Sequence, residues 1–325
     1  MSYVQLQSNL ADAYVQSWNF TLQRQLSTTS TLEVGYIGNK GTDLINFATG
    51  NQATPSADPN SPIQPRRPIP ILDAETGVIL SDLNSDYNAL VVTLRQRLSH
   101  GFSLNAAYTW SHALDYASSS NLGSSNNGYF RDYNNIFWEY GNADFDERQR
   151  LTVFYEYQLP VGPGRALASH ANRWVNGLIG GWSTLGVWTY HAGNWFTPVL
   201  SYDPSNSGSP SPRPDMICNP NAGATHTTAT WFNTSCFVDP ALGTFGNAGR
   251  NVILGPSLFD SDLSLMKHWS FSESRRIEFR AEFFNAFNHP TFPEINDLTP
   301  SDPHFGQIRT ANAPRQIQGA LKFFF

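Results

Sequence analysis

The stretch FSLNAAYTWS, residues 102–111, is where the reading of the chain is decided. Phe102, Leu104, Ala106, Tyr108 and Trp110 fall on one face of an extended strand. Ser103, Asn105, Ala107, Thr109 and Ser111 fall on the other, which is entirely small or polar. Successive side chains of a strand point to opposite faces, so this strand has an apolar side and a wet side. It runs for about ten residues, longer than the 5–6 usual in soluble sheets and close to the 9–11 that cross a bilayer obliquely.

The same period recurs through the chain. Trp18, Phe20 and Leu22 alternate with Asn19, Thr21 and Gln23. Leu151, Val153, Tyr155, Tyr157 and Leu159 oppose Arg150, Thr152, Glu156 and Gln158, with Phe154 breaking the pattern. Ile277, Phe279, Ala281, Phe283 and Phe287 oppose Glu278, Arg280 and Glu282, and Ile317, Leu321, Phe323 and Phe325 oppose Gln316, Gln318 and Lys322. The segment Trp182–Tyr190 has apolar residues on both faces. Approximate strands are Tyr14–Leu26, Thr31–Asn39, Asp86–Leu98, Phe102–Ser111, Arg148–Leu159, Trp182–Tyr190, Leu258–Trp269, Arg276–Asn288 and Arg315–Phe325.

The joins between them supply an independent test. Residues 27–30, 99–101 and 270–275 are short, and 40–85, 112–149, 191–257 and 289–314 are long, with 160–181 intermediate. Short turns on one rim and long loops on the other are the pattern of a bacterial outer-membrane barrel, whose short turns are periplasmic. Proline respects the same map, from Pro55 to Pro70, Pro198 to Pro220 and Pro290 to Pro314. The expected fold is all-β: part of a transmembrane antiparallel barrel of about nine or ten long strands, curved, with both edges open. The apolar set Trp18, Phe20, Leu22, Leu104, Tyr108, Phe279 and Phe283 is expected on the lipid side and exposed. Asn105, Thr109, Glu278 and Glu282 are expected on the lumen side.

Composition agrees. Only 14% of the 325 residues are charged, against about a quarter in soluble domains, and another 14% are aromatic. On composition alone a soluble sandwich or propeller fits equally well. A net charge of −6 with no basic run argues against nucleic acid as a partner. No window holds 18 consecutive apolar residues, so any crossing relies on strands. The start, MSYVQLQSNLADAYVQ, has neither the basic nor the apolar region of a signal peptide, and an exported protein needs one.

Cys218 and Cys236, the only two cysteines, sit in a Pro/Asn/Thr-rich stretch. In an exported protein they read as a disulfide closing a loop; two unrelated thiols are the alternative. No metal-ligand spacing, HExxH, nucleophile elbow or P-loop occurs, so no catalytic, cofactor or metal residues are assigned and no enzyme is expected. Asp260 and Asp262 lack the rest of a calcium loop and read as lumen-facing residues at a strand start. Asp144, Asp146 and Arg148 read as an ion-paired cluster at the loop rim, and Glu278, Arg280 and Glu282 as cross-strand or plug-facing contacts. Trp18, Tyr108, Trp110 and Trp269 read as interfacial girdle aromatics, with a carbohydrate-stacking platform as the alternative.

TFGNAGRNVILGPSLFDSDLSLMKHW at 244–269, RRIEFRAEFFNAFNHPTF after it, and the terminal FGQIRTANAPRQIQGALKFFF resemble the C-terminal barrel of Oar-like TonB-dependent receptors. AYVQSWNFTLQRQL, EVGYIGNKGTDL and NADFDERQRLTVFYEYQLP resemble earlier strands of that family, so the likeness covers nearly the whole chain and is strongest from Phe245 to Phe325. Leu321, Phe323 and Phe325 resemble the signal read by the barrel-assembly machinery, although Gly319 sits one place early. The resemblance implies the outer membrane of a Gram-negative-type bacterium, with lipid as one partner. It further implies a receptor or transporter for an unknown extracellular ligand, driven by the TonB system through an N-terminal region missing here. Such barrels close with about 22 strands around a plug. Nine strands without a plug or a TonB-contacting segment imply a fragment or truncated gene, residues 1–325 being the C-terminal barrel portion. A surface adhesin that binds without transporting is the alternative. A soluble carbohydrate-active enzyme would need a carboxylate pair facing a cleft, and none is identified.

Overall fold

The computed structural model describes residues 4–72, 76–118, 130–272 and 274–325, with backbone alone at 47–49. Nine long strands form one antiparallel sheet in strict chain order: β1 (Tyr14–Gln25), β2 (Ser30–Thr49), β3 (Gly77–Ser99), β4 (Phe102–Asp115), β5 (Gln149–Gln158), β6 (Trp182–His191), β7 (Leu258–Ser270), β8 (Arg276–Phe284) and β9 (Gln316–Phe324). Every neighbour in space is the neighbour in sequence, the up-and-down connectivity that hairpins impose. β1 and β9 end the sheet and do not pair with each other, so the wall is open. Two short pieces join its long-loop edge: Val4–Leu6 runs parallel to the start of β3, and Gly141–Asn142 pairs with the end of β4.

Register turns the alternation of single strands into two chemically different faces. Leu22, Val34, Val92, Tyr108, Leu151, Tyr190 and Phe259 are successive cross-strand partners over seven strands. One residue along, the partners are Gln23, Glu33, Thr93, Ala107, Thr152, Thr189 and Asp260. Directly opposed residues share a face and adjacent rows face opposite ways, so one side of the wall is apolar and the other wet. The pattern continues through Leu263, Phe283 and Ile317 against Ser264, Glu282 and Gln318. Phe154 breaks it by pairing with Val187 on the wet side. Lys267 breaks it in the other direction, taking Phe279 as its partner on the apolar face.

The expected lipid-side residues split by position. Trp18, Phe20 and Leu22 on edge strand β1 are exposed, whereas Leu104, Tyr108, Phe279 and Phe283 are half-buried. The interior ones are flanked by side chains of strands on both sides, which shields their edges without placing them in a core. On the wet side Asn105 is exposed, Thr109 and Glu282 are half-buried, and Glu278 is buried among His268 and Arg280.

Four strand ends depart from the expected ones by four residues or more, the shortest extension being β4, which runs to Asp115 past Ser111. β2 runs ten residues past Asn39 and β3 begins nine before Asp86, with pairing that shifts register between Gly41 and Leu44 and again between Leu44 and Asn46. Strands of 20 and 23 residues far exceed the span of a bilayer. The extra length is bathed on both sides by water and protein, so no lipid imposes alternation on KGTDLINFAT and its sequence does not announce a strand. β8 stops at Phe284 rather than Asn288, because Asn285 turns at φ 47° and Asn288 at φ 52°, which removes Phe287 from the apolar row. The short rim is built as expected: His100 (φ 53°) and Gly101 (φ 80°) make a two-residue turn of the mirror-image type that matches strand twist. The intermediate connection 159–181 contains a short helix, α1 (Arg173–Ile179), which the sequence reading did not anticipate.

Candidate functional site

The long connections form a second layer of structure beyond the wall. Phe232, Cys236, Phe237, Ala248, Ile253, Ile295 and Ile308 make a dry core among loop residues, with Phe196, Met216, Trp231, Phe292 and Phe305 packed around it. The rings of Phe232, Phe237 and Phe305 meet edge-on at 5.1–5.9 Å, the geometry their quadrupoles favour. A smaller cluster joins Leu80 and Leu83, on the overhang of β3, to Tyr116, Phe130 and Ile136. Two minimal antiparallel pairs, Asp215–Met216 with Phe237–Val238 and Trp195–Phe196 with Ile253–Leu254, tie distant parts of connection 192–257 together.

Cys218 and Cys236 are joined, with Cα atoms 4.9 Å apart and Cys236 fully buried in the loop core. The bond closes 18 positions of chain, for which loop-closure entropy contributes about 3 kcal/mol. Reduction is therefore expected to raise the protease sensitivity of connection 192–257 sharply while strand content stays constant. Unchanged cleavage kinetics after complete reduction would reject this role.

Buried ion pairs also cross-link the layer. Glu139 is 1% exposed and accepts from Arg213, itself 2% exposed, and pairs with Arg131 at 3.5 Å. Arg131 also donates to the carbonyls of Gly246 and Ala248, at 3.0 and 2.7 Å, and lies over the ring of Trp138. Arg250 donates to Asp115, Asp144 and the Glu139 carbonyl. Burial pulls the Arg213 guanidinium down to about 10 against the opposing pull of Glu139, so it stays cationic at neutral pH. Its Nε and Nη1 are buried without a hydrogen-bond partner.

Beside this network lies a cavity of about 600 Å³. Trp195, Phe196 and Leu298 supply apolar wall, and Arg213, Arg250, Asp144 and Glu294 supply charge. An apolar pocket with a few converging polar groups is the usual form of a small-ligand site.

The rim cluster expected at the start of β5 is present. Asp146 is fully buried and accepts from Arg148 Nε at 2.6 Å, Trp195 Nε1 at 3.1 Å and Ala113 N at 2.7 Å; Asp144 binds Arg250. These carboxylates are committed to structural ion pairs that anchor the loop layer to the wall. Glu278, Arg280 and Glu282 differ from expectation in their main partners. Arg280 bridges the two glutamates along its own strand, at 2.9 and 3.5 Å, with His268 and Gln318 adding cross-strand contacts. Residues two apart share a face, so one long cation reaches both neighbours.

Asp260 and Asp262 lie on the wet face, and Asp262 accepts from Asn285 N at 3.0 Å. Among the described residues the group with metal-ligand spacing is Asp297, Asp302 and His304. Arg309 already bonds Asp297 at 2.6 Å and the His304 backbone N–H bonds Asp302, which holds that carboxyl below its ordinary value.

Trp18 and Trp110 stand exposed on the apolar face, Tyr108 is half-buried there, and Trp269 donates its indole N–H to Gly177 of α1. Leu321 and Phe323 share rows with Phe279 and Ile277 on the open edge of the wall, and Phe325 is exposed beyond it. The sequence reading missed Arg131, Glu139, Arg213 and Arg250. One signal was present: connection 192–257 contains two Arg or Lys residues, and both are in this network.

A wall with one apolar face, short turns on one rim and folded loops on the other defines the class of membrane-spanning β-barrel proteins. The chain belongs to the family described as outer membrane beta barrel domain, which matches residues 1–318, and it is an outer-membrane protein. Among solved structures it is similar to the outer membrane transporter YddB from Escherichia coli, at 10% identity and a TM-score of 0.51, covering all of this chain and 34% of that one. It also matches the FrpB iron transporter from Neisseria meningitidis at 8% identity and a TM-score of 0.45, covering 98% of this chain and 32% of that one. The chain thus spans about a third of the length of these two structures. Comparison with curated proteins returned no match.

Proposed function

We propose that this chain is the C-terminal barrel portion of an Oar-like TonB-dependent receptor, in which the loop layer captures an extracellular ligand for uptake through the completed barrel. The observation that carries the reading is the loop layer itself. A hydrophobic core, a disulfide and a buried ion network hold a 600 Å³ cavity on the rim opposite the short turns. Rigid loops lose little entropy on binding, which favours recognition. The open edges of β1 and β9 support a larger barrel, because unpaired strand edges are costly in hydrocarbon. In this reading the chain performs no catalysis, the barrel-assembly machinery engages Leu321, Phe323 and Phe325, and the TonB system acts through a plug supplied by other sequence.

The order of the loop layer also favours a second reading, a surface adhesin that binds without transporting. Expression of the complete gene in cells with and without a functional TonB system separates the two. Ligand accumulation that requires TonB supports uptake; surface binding that is identical in both strains supports adhesion. Absence of the protein from the heat-modifiable outer-membrane fraction would sink both.

A further inference from the structure

We propose that α1 is a membrane-surface anchor: it lies in the headgroup region of the leaflet on the short-turn side and inserts Trp174 and Leu178 among the lipids. The helix follows β5 on that rim. Asn172 starts it by accepting from the backbone N–H groups of Trp174 and Val175, at 3.1 and 2.9 Å. Seven residues do not hold a helix in water by propensity alone. The strands hold it instead, through its last carbonyls. Trp269 Nε1 donates to Gly177 O at 2.7 Å, Trp182 Nε1 to Leu178 O at 2.9 Å, and Lys267 Nζ to Gly180 O. The Lys267 ammonium sits between the two indoles, 5.4 Å from one ring centre and 5.3 Å from the other, which accounts for a lysine on the apolar face.

The three anchoring side chains fix where the helix is. Lys267 is in the row of Phe279 and Leu321, and Trp269 in the row of Ile277 and Phe323. Both rows belong to the lipid-facing side, so α1 docks outside the wall at its rim and not beneath the lumen. Trp174 and Leu178 are one helical turn apart on one face and are 85% and 74% exposed, and Val175 and Ile179 are exposed beside them.

Charge identifies the occupant as phospholipid. Connection 159–181 carries Arg165, His170 and Arg173 and no acidic residue. Tryptophan and leucine with flanking arginines suit the boundary between acyl chains and anionic phosphates.

The test uses the product of the complete gene folded into vesicles of phosphatidylethanolamine and phosphatidylglycerol. A spin label at Leu178→Cys, with the native disulfide kept intact, is expected to be more accessible to oxygen than to a nickel chelate. The expected depth is about 5–10 Å into the headgroup boundary. A label at Gly164→Cys in the same connection is expected to favour the chelate. Because a new cysteine can disturb disulfide pairing, Trp174→Phe supplies a second measurement. The emission lost in this variant is expected to be strongly quenched by brominated lipid in the parent protein. Chelate-dominated exposure at 178 with no lipid quenching of Trp174 would overturn the proposal in favour of water. Exclusion of both oxygen and chelate would overturn it in favour of a protein partner.

Discussion

Glu139→Ala is expected to destabilise the loop layer by about 3–5 kcal/mol while the wall remains assembled. The substitution leaves Arg213 buried without the carboxylate it meets and takes from Arg131 its ion-pair partner, leaving that residue only the field of Asp132. Two of the Arg213 nitrogens already lack partners, so the remaining charge has no alternative in the folded state. The cost is that of an uncompensated buried charge, which exceeds the net worth of the pair itself. Replacing both partners, as Glu139→Gln with Arg213→Met, is expected to recover much of the loss. Pulse proteolysis of the loops alongside heat-modifiability of the barrel reads the two layers separately. Equal stability of Glu139→Ala and the parent would show that the network contributes nothing. Failure of the barrel to assemble would show that the loop layer is not separable from the wall.

Val92→Arg and Thr93→Arg are expected to differ clearly in their cost, because they lie on opposite faces of the wall. Val92 lies in the apolar row between Val34 and Tyr108, and Thr93 lies in the wet row between Glu33 and Ala107. Arginine on the lipid face near mid-membrane costs about 2–4 kcal/mol, falling towards zero at the interfaces, whereas lumen positions tolerate it. Urea titration of the complete gene product refolding into vesicles is the measurement. A clear penalty at Val92 and a small one at Thr93 are expected. Similar penalties at both, or the larger one at Thr93, would reverse the assignment of the faces.

Much of the wall is legible in the sequence because lipid imposes a rule on every residue that crosses it. In segments such as 102–111 and 276–284 one face must be apolar and each backbone group must be paired, so period and length together announce a spanning strand. Where that solvent ends, the rule ends. The overhangs 40–49 and 77–85 do not alternate and their pairing slips register twice, so only pairing across the hairpin makes them strands. The helix was hidden for a related reason. Seven residues carry too little periodicity to signal a helix, and two of its hydrogen-bonding partners, Lys267 and Trp269, lie on β7, 87 and 92 positions along the chain.

By itself the sequence determined that there are about nine or ten long strands, which rim carries the loops, and the two faces of most strands, β6 excepted. All of these follow from local alternation and connection length, which need no knowledge of what lies nearby. Only the tertiary structure decided how the loops pack. Arg213 meets Glu139 across 74 positions and Arg250 meets Asp115 across 135. A buried ion pair depends on which distant charges share a dry space, and no periodicity in the chain encodes that. The same holds for Lys267, which reads in sequence as an error on the apolar face. In three dimensions two indoles and a helix terminus surround it, and its charge is accommodated because the fold brings them there.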